Sequence, residues 1–149
     1  MKLRLVSLAV LLASLFAFAQ KEPPSGSLQL IQPDELVKAM QSSGGQKPVV
    51  LYVGPRLIYT QAHIPGAEYM GPVGRAEGME KLRARAKSLP HDGFIVVYCG
   101  CCPWDHCPNI RPAYQELTKQ GFTKVRVLYL ATSIGTDWAD KGYPTAKGE

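Results

Sequence analysis

The stretch Phe94-Ile95-Val96-Val97-Tyr98-Cys99-Gly100-Cys101-Cys102-Pro103-Trp104-Asp105-His106-Cys107-Pro108-Asn109 decides the fold and names the candidate site. Its opening run, Phe94 to Tyr98, is apolar and largely β-branched or aromatic, the composition of a buried strand. Beyond it, Arg111-Pro112-Ala113-Tyr114-Gln115-Glu116-Leu117 has helical composition, so the cysteines fall on a loop that leads from a strand into a helix. That loop carries all 4 cysteines of the chain, with one of its 3 histidines and one of its 2 tryptophans. In an open α/β sheet the crevice outside the carboxyl ends of the strands is where ligands bind.

Toward the N-terminus, Pro90-His91-Asp92-Gly93 breaks the chain ahead of this strand, and Met79, Leu82, Ala86 and Leu89 recur at helical spacing between Ala76 and Leu89. His63-Ile64-Pro65-Gly66-Ala67 is a turn with proline and glycine at its centre, preceded by about one helical turn from Arg56 to Ala62 and followed by a short strand, Glu68 to Met70. Pro48-Val49-Val50-Leu51-Tyr52-Val53, bounded by Gly54-Pro55, is an almost unbroken apolar run, the pattern of a strand covered on both faces, which implies a parallel sheet. Leu28 to Ile31 reads as an edge strand. Gln32 to Met40 reads as a helix with proline and acids in its first turn, stopped by Ser42-Ser43-Gly44-Gly45. Toward the C-terminus, Gly121-Phe122-Thr123 stops a helix, Val125 to Leu130 is a further strand, and Trp138 to Pro144 is a short helix with its cap. Strands alternating with helices predict one α/β domain of three layers, a mainly parallel central sheet flanked by helices.

A length of 149 residues with 46% hydrophobic and 19% charged residues fits one ordinary globular domain. Lys2 and Arg4 precede an apolar run, Leu5 to Phe18, that ends in Ala17-Phe18-Ala19. A cationic start, a short apolar core and small residues in an A-x-A pattern predict a secretory signal peptide cleaved after Ala19. The run is shorter than the ~20 apolar residues of a spanning helix, so no stable membrane insertion is expected after cleavage. Lys21 to Ser27 is a polar tether. The expected organisation is therefore a signal peptide at 1–19, a linker at 20–27 and one domain at 28–146, in a periplasmic or secreted protein. Cleavage removes Lys2 and Arg4 from a formal net charge of +5, and the remaining cations are scattered apart from Lys81-Arg83-Arg85-Lys87, a solvated helix face. Nucleic acid is not an expected partner. An oxidising address permits disulfides.

Several motifs together resemble the rhodanese-like sulfurtransferase family. His63-Ile64-Pro65-Gly66-Ala67 is similar to its hallmark turn, Tyr59 stands ahead of that histidine as the family has it, and Val96-Val97-Tyr98-Cys99 is similar to the strand that delivers its nucleophilic cysteine. Gly121-Phe122, Val125, Leu128, Trp138 and Gly142-Tyr143-Pro144 follow the family's closing pattern in order, so the resemblance spans residues 28–146. It implies a rhodanese-like fold, sulfur transfer through a Cys99 persulfide, a small sulfur donor and a thiol or cyanide-like acceptor, with a protein thiol as a further partner. No cofactor is implied. The chain departs from the family twice: Tyr52-Val53-Gly54 stands where the family has Asp-Val-Arg, and the loop from Cys99 to the helix is several residues longer than the family's compact cradle. The insertion is the cysteine-rich stretch itself.

Sulfur transfer needs a thiolate, and a cysteine facing backbone N–H groups at a helix N-terminus has a lowered pKa. Cys99 ends the strand and precedes Gly100, whose backbone allows a ligand close approach. Arg111 would add charge for an anionic donor, Trp104 would cover the pocket, and His106 as a cation would favour a neighbouring thiolate. Cys101, Cys102 and Cys107 are candidate resolving or disulfide partners. Disulfide stapling of the loop and thiol–disulfide exchange remain open beside sulfur transfer. So does soft-metal capture by Cys99, Cys101, Cys102, His106 and Cys107, with copper or zinc as the ion. Two chemistries are excluded. Haem attachment fails because Pro103 follows Cys102 where histidine is needed, and phosphatase spacing counted back from Arg111 lands on Asp105. His63 reads as a structural turn residue, His91 as solvated, and Asp105 as a loop cap or turn residue.

Overall fold

The computed structural model describes residues 27–148, so the expected signal peptide and all but the last residue of the expected linker lie outside the described residues. The elements in chain order are β1 (Leu30–Ile31), α1 (Pro33–Gln41), β2 (Val49–Tyr52), α2 (Arg56–Gln61), β3 (Glu68–Tyr69), α3 (Ala76–Ala86), β4 (Phe94–Tyr98), α4 (Ile110–Lys119) and β5 (Lys124–Leu128), followed by a π-helical turn, Gly135–Ala139. The strands form one 5-stranded sheet in the order β1-β5-β4-β2-β3, with every pair parallel. β4 is the central strand. Its register places Tyr52 of β2 opposite Tyr98 and Val127 of β5 opposite Val97.

The period-two alternation of strands divides the core between the two faces of the sheet. Leu51, Val53, Ile95, Val97, Val125 and Val127 pack with Leu82 and Ala86 of α3 and with Ile110, Ala113 and Leu117 of α4. Val50, Tyr52, Val96, Tyr98 and Leu128 pack on the opposite face with Leu36 of α1, Tyr59 of α2, Ile64 and Trp138. The chain is thus a three-layer α/β domain. The same alternation continues past β4 and sends Cys99 to the face of Ile95 and Val97, beneath α4.

Local chemistry sets the helix ends. At α1 the Gln32 N–H donates to Glu35 Oε2 at 2.9 Å, satisfying one of the groups left over at a helix start, with Pro33 at the first position. α3 ends at Ala86 rather than at Leu89. Pro90 disfavours helical backbone at the residue before it, and Ser88 Oγ donates to Arg85 O at 2.8 Å, which closes the last turn early. β5 ends at Leu128 rather than Leu130, though Tyr129 N–H still reaches Ile31 O at 2.9 Å. The terminal helical turn starts earlier than its sequence suggests, because the Asp137 carboxylate accepts the Ser133 N–H at 3.0 Å and Ser133 Oγ accepts the Thr136 N–H at 3.2 Å. Among the described residues no helix is long and apolar enough to cross a membrane.

The turn after α2 is fixed by its histidine. His63 is buried, its Nδ1 lies 2.8 Å from Tyr59 O, and its ring stacks on Tyr59 at 4.0 Å. Its backbone exchanges hydrogen bonds with Ala146, at 2.9 and 2.8 Å, which ties down the tail. Tyr98 Oη accepts the Ile64 N–H at 3.0 Å and Tyr59 Oη donates to Ala67 O at 2.6 Å. His63 is a structural residue of this turn.

Candidate functional site

The site begins at the end of β4. Gly100 takes φ 78°, and a Cβ there would fall 2.7 Å from Ile134 Cβ, so the first step of the loop accepts only glycine. The chain then runs outward through Cys101 and Cys102. Trp104 N–H returns to Leu130 O at 3.1 Å, and the loop re-enters the domain at Cys107, just ahead of α4. Cys99 and Cys107 are buried, Cys102 is half-buried and Cys101 is exposed; all are free thiols.

The outward-and-back path brings three sulfurs together. Those of Cys99, Cys101 and Cys107 lie within 4.8 Å of one another. Cys99 Sγ is 3.2 Å from Cys101 Sγ, and Cys101 Sγ is 3.3 Å from Cys102 Sγ. Buried Asn109 holds the cluster from the side. Its Nδ2 donates to Cys99 Sγ at 3.7 Å and to Cys107 Sγ at 3.9 Å, while its Oδ1 accepts the Gly74 N–H at 2.9 Å.

The charges within the cluster are unequal. A hydrogen bond donated by the Cys99 thiol, joined by the Asn109 and Ile110 backbone N–H groups at the start of α4, outweighs burial and lowers the Cys107 pKa to about 5. Cys99 moves the opposite way, first because its proton serves Cys107 and second because it is buried. Burial and the contact with Cys101 push Cys102 up to about 12. The sequence leads one to expect the positive end of α4 at Cys99. The structure gives those N–H groups to Cys107, because the inserted residues carry a second cysteine back to the helix start.

A cleft of about 570 Å³ opens beside the cluster, lined by Cys101, Asn109, Pro108, Gly74, Arg56 and Arg75. Cys101 also borders a smaller hollow of about 230 Å³ with Gly100, Ile134 and Ser133. Arg56, at the start of α2, lies with its guanidinium 5.2 Å from the Tyr69 ring centroid. Both cleft arginines are exposed and enter from the segments after β2 and β3.

The remaining candidates named from sequence lie elsewhere. Arg111 is exposed in the first turn of α4 and does not line the cleft. Trp104 is half-buried, packs against the core cluster that includes Cys99 and Cys107, and tilts over Tyr129 at 6.3 Å without lining the cleft. His106 is exposed and pairs with Asp105 at 2.9 Å. Cys102 borders the cluster at Cys101 and Cys107, and among the described residues the mutually converging set is Cys99, Cys101 and Cys107, without Cys102 or His106. Arg56 and Arg75 are the cleft residues that sequence reasoning did not place. The available signal was the β2–β4 pairing, which brings the end of β2, and Arg56 just past it, to the same edge as Cys99.

No protein-family model and no curated protein matches the chain. Solved structures do. The rhodanese-like domain of the Alr3790 protein from Anabaena sp. is 20% identical, with 82% of this chain and 81% of that chain covered at a TM-score of 0.57. A rhodanese-like domain protein from Staphylococcus aureus is 14% identical, with 82% of this chain and 100% of that chain covered at a TM-score of 0.55. A thiosulfate sulfurtransferase from Pseudomonas aeruginosa is 21% identical at a TM-score of 0.57, with 83% of this chain matched to 20% of that chain. The chain has the rhodanese-like fold.

Proposed function

We propose that the protein moves sulfane sulfur, with the paired thiols of Cys99 and Cys101 as carriers and the Arg56–Arg75 cleft as the seat of a small anionic donor. The observation that carries this reading is the 3.2 Å contact between Cys99 Sγ at the strand end and Cys101 Sγ, which is exposed beside two arginines. In the first step the Cys101 thiolate attacks the outer sulfur of a thiosulfate-type donor. A new S–S bond forms, the donor's S–S bond breaks, and sulfite leaves with the electron pair. The Cys99 sulfur, its proton passing to the Cys107 thiolate, then attacks the outer sulfur of the Cys101 persulfide, becomes the persulfide itself and releases Cys101 as thiolate. A thiol or cyanide-like acceptor then attacks the outer sulfur of the Cys99 persulfide: its own S–S or C–S bond forms, the persulfide S–S bond breaks, and Cys99 leaves with the electron pair.

Thiol–disulfide exchange is the second reading. Closure of a disulfide between Cys99 and Cys101, whose sulfurs are already 3.2 Å apart, would pass two electrons to a disulfide of a protein partner. Thiocyanate formation from thiosulfate and cyanide separates the two. Reduced wild-type protein is expected to turn over, Cys99→Ser and Cys101→Ser to lose most of that activity, and Cys102→Ser to keep it. Inactive wild-type protein, or Cys99→Ser as active as wild type, overturns the sulfur-transfer reading.

A further inference from the structure

We infer that Cys99, Cys101 and Cys107 form a three-sulfur site for copper(I). The three sulfurs lie within 4.8 Å of one another, and the closest pair is 3.2 Å apart. A metal–thiolate bond of about 2.3 Å, the value for zinc, places three sulfurs around a planar centre with edges of about 4 Å. The observed triangle needs only small side-chain adjustments to reach that shape. The free Cys101 side supplies an entry path from the cleft.

The donor set selects the ion. All three ligands are soft sulfurs, the type that favours copper(I). A structural zinc site takes four ligands in a tetrahedron, and among the described residues no nitrogen or oxygen donor joins the three sulfurs. His106 is exposed and bonded to Asp105, Cys102 interacts with Cys101 and Cys107 but lies outside the set of mutually close sulfurs, and Asn109 turns N–H donors toward the sulfurs while its oxygen holds Gly74. Copper(I) is stable with three ligands, zinc(II) is not well served by them.

The surroundings suit the charge of the occupied site. Three thiolates on one copper(I) ion leave an excess of negative charge, and their protons pass to solvent as the metal–sulfur bonds form. Buried Asn109 donates N–H groups to two of the sulfurs, and Arg56 and Arg75 flank the third. Hydrogen bonds of this outer kind orient ligand sulfurs and hold them in place. The inference stands apart from sulfur transfer, since binding the ion requires neither donor nor turnover.

The test is a competition titration of the reduced, oxygen-free full chain against copper(I) held by a coloured chelator, bathocuproine disulfonate. The expected result is one copper(I) per chain with an ultraviolet sulfur-to-copper charge-transfer band. Loss of an outer-shell partner alone costs about 10–100-fold in metal affinity, so Cys99→Ser, Cys101→Ser and Cys107→Ser each lower copper(I) affinity by at least about tenfold. His106→Ala leaves it unchanged. Circular dichroism accompanies each variant, and exposed Cys101→Ser carries the test if either buried-site variant fails to fold. Undiminished binding in Cys101→Ser, equal losses in His106→Ala, tighter binding of zinc(II) than of copper(I), or no copper bound to wild type would overturn the assignment.

Discussion

The sulfur of Cys99 fills the space that a side chain on Gly54 would need: a Cβ at Gly54 falls 2.5 Å from Cys99 Sγ and 2.8 Å from Tyr52 Oη. Gly54 stands where the resembling family has the arginine of its Asp-Val-Arg triplet, and Tyr52 stands where it has the aspartate. Here Tyr52 Oη donates to Pro55 O at 2.9 Å and closes the turn after β2 without a charged pair. Gly54 and the Cys99 thiol thus share one packing space.

Gly54→Ala is therefore expected to displace Cys99 Sγ and to destabilise the fold by about 1–3 kcal/mol, the usual cost of over-packing. Gly44→Ala, where an added Cβ meets nothing within 4 Å, is the control and stays within about 0.5 kcal/mol. Urea denaturation of the reduced proteins measures both. Equal stabilities would mean that Cys99 has room to move.

Much of this architecture is legible in the sequence, for reasons that particular residues make plain. The apolar runs Val49–Tyr52 and Phe94–Tyr98 announce strands buried on both faces, and the proline-glycine turn after His63 can be read directly. The sequence also places Cys99 at the end of the strand that becomes β4. The path of the inserted loop is not legible, because nothing in the spacing of Cys101, Cys102 and Cys107 says which sulfur returns to the start of α4. Arg75 was hidden for a different reason: it reaches the cleft through tertiary packing of the segment after β3, far from the cysteines in sequence.

In metal-free, reduced protein, the ultraviolet absorbance of thiolate is expected to show a transition near pH 5, reporting Cys107. The Cys107 pKa lies below its usual value, so thiolate is present above that transition and lost as pH falls through it. Cys107→Ser removes the transition, and Cys99→Ala moves it upward because the main donor to the Cys107 sulfur is gone. A transition unmoved by Cys99→Ala would show that the two thiols are not bonded.

Glu116 joins α4 to α3 through a two-pronged pair with Arg83, at 2.8 and 2.9 Å, and the Arg83 guanidinium is the first cause of its pKa falling to about 2. A carboxylate lowered on folding contributes stability that is full above its unfolded pKa of about 4.3. That contribution disappears as pH falls through about 2. Glu116→Gln should thus be less stable than wild type at neutral pH and converge with it in acid. A constant gap across that range would assign the loss to packing.

The cleft arginines are expected to act on the donor and not on the thiols. Arg75→Gln lowers kcat/KM for thiosulfate by about tenfold, roughly the worth of one charge-assisted hydrogen bond, mainly through KM. Arg111→Gln, exposed and outside the cleft, has no such effect. The reverse pattern would place the donor against the start of α4.

Export is tested by expressing residues 1–149 in a bacterial host and sequencing the released protein from its N-terminus. The A-x-A pattern predicts Gln20 as the first residue. Protein recovered with Met1 in place would contradict the proposed periplasmic or secreted address.

Intact-mass analysis after brief exposure of the reduced protein to thiosulfate is the most direct test of sulfur carriage. Wild-type protein should gain about 32 Da, one sulfur atom held as a persulfide, and lose it on addition of cyanide, with fragment-mass mapping placing the retained sulfur on Cys99. A gain that maps to Cys101 in place of Cys99, or a loss of about 2 Da in place of the gain, would contradict the Cys99 persulfide, the second result pointing to a disulfide.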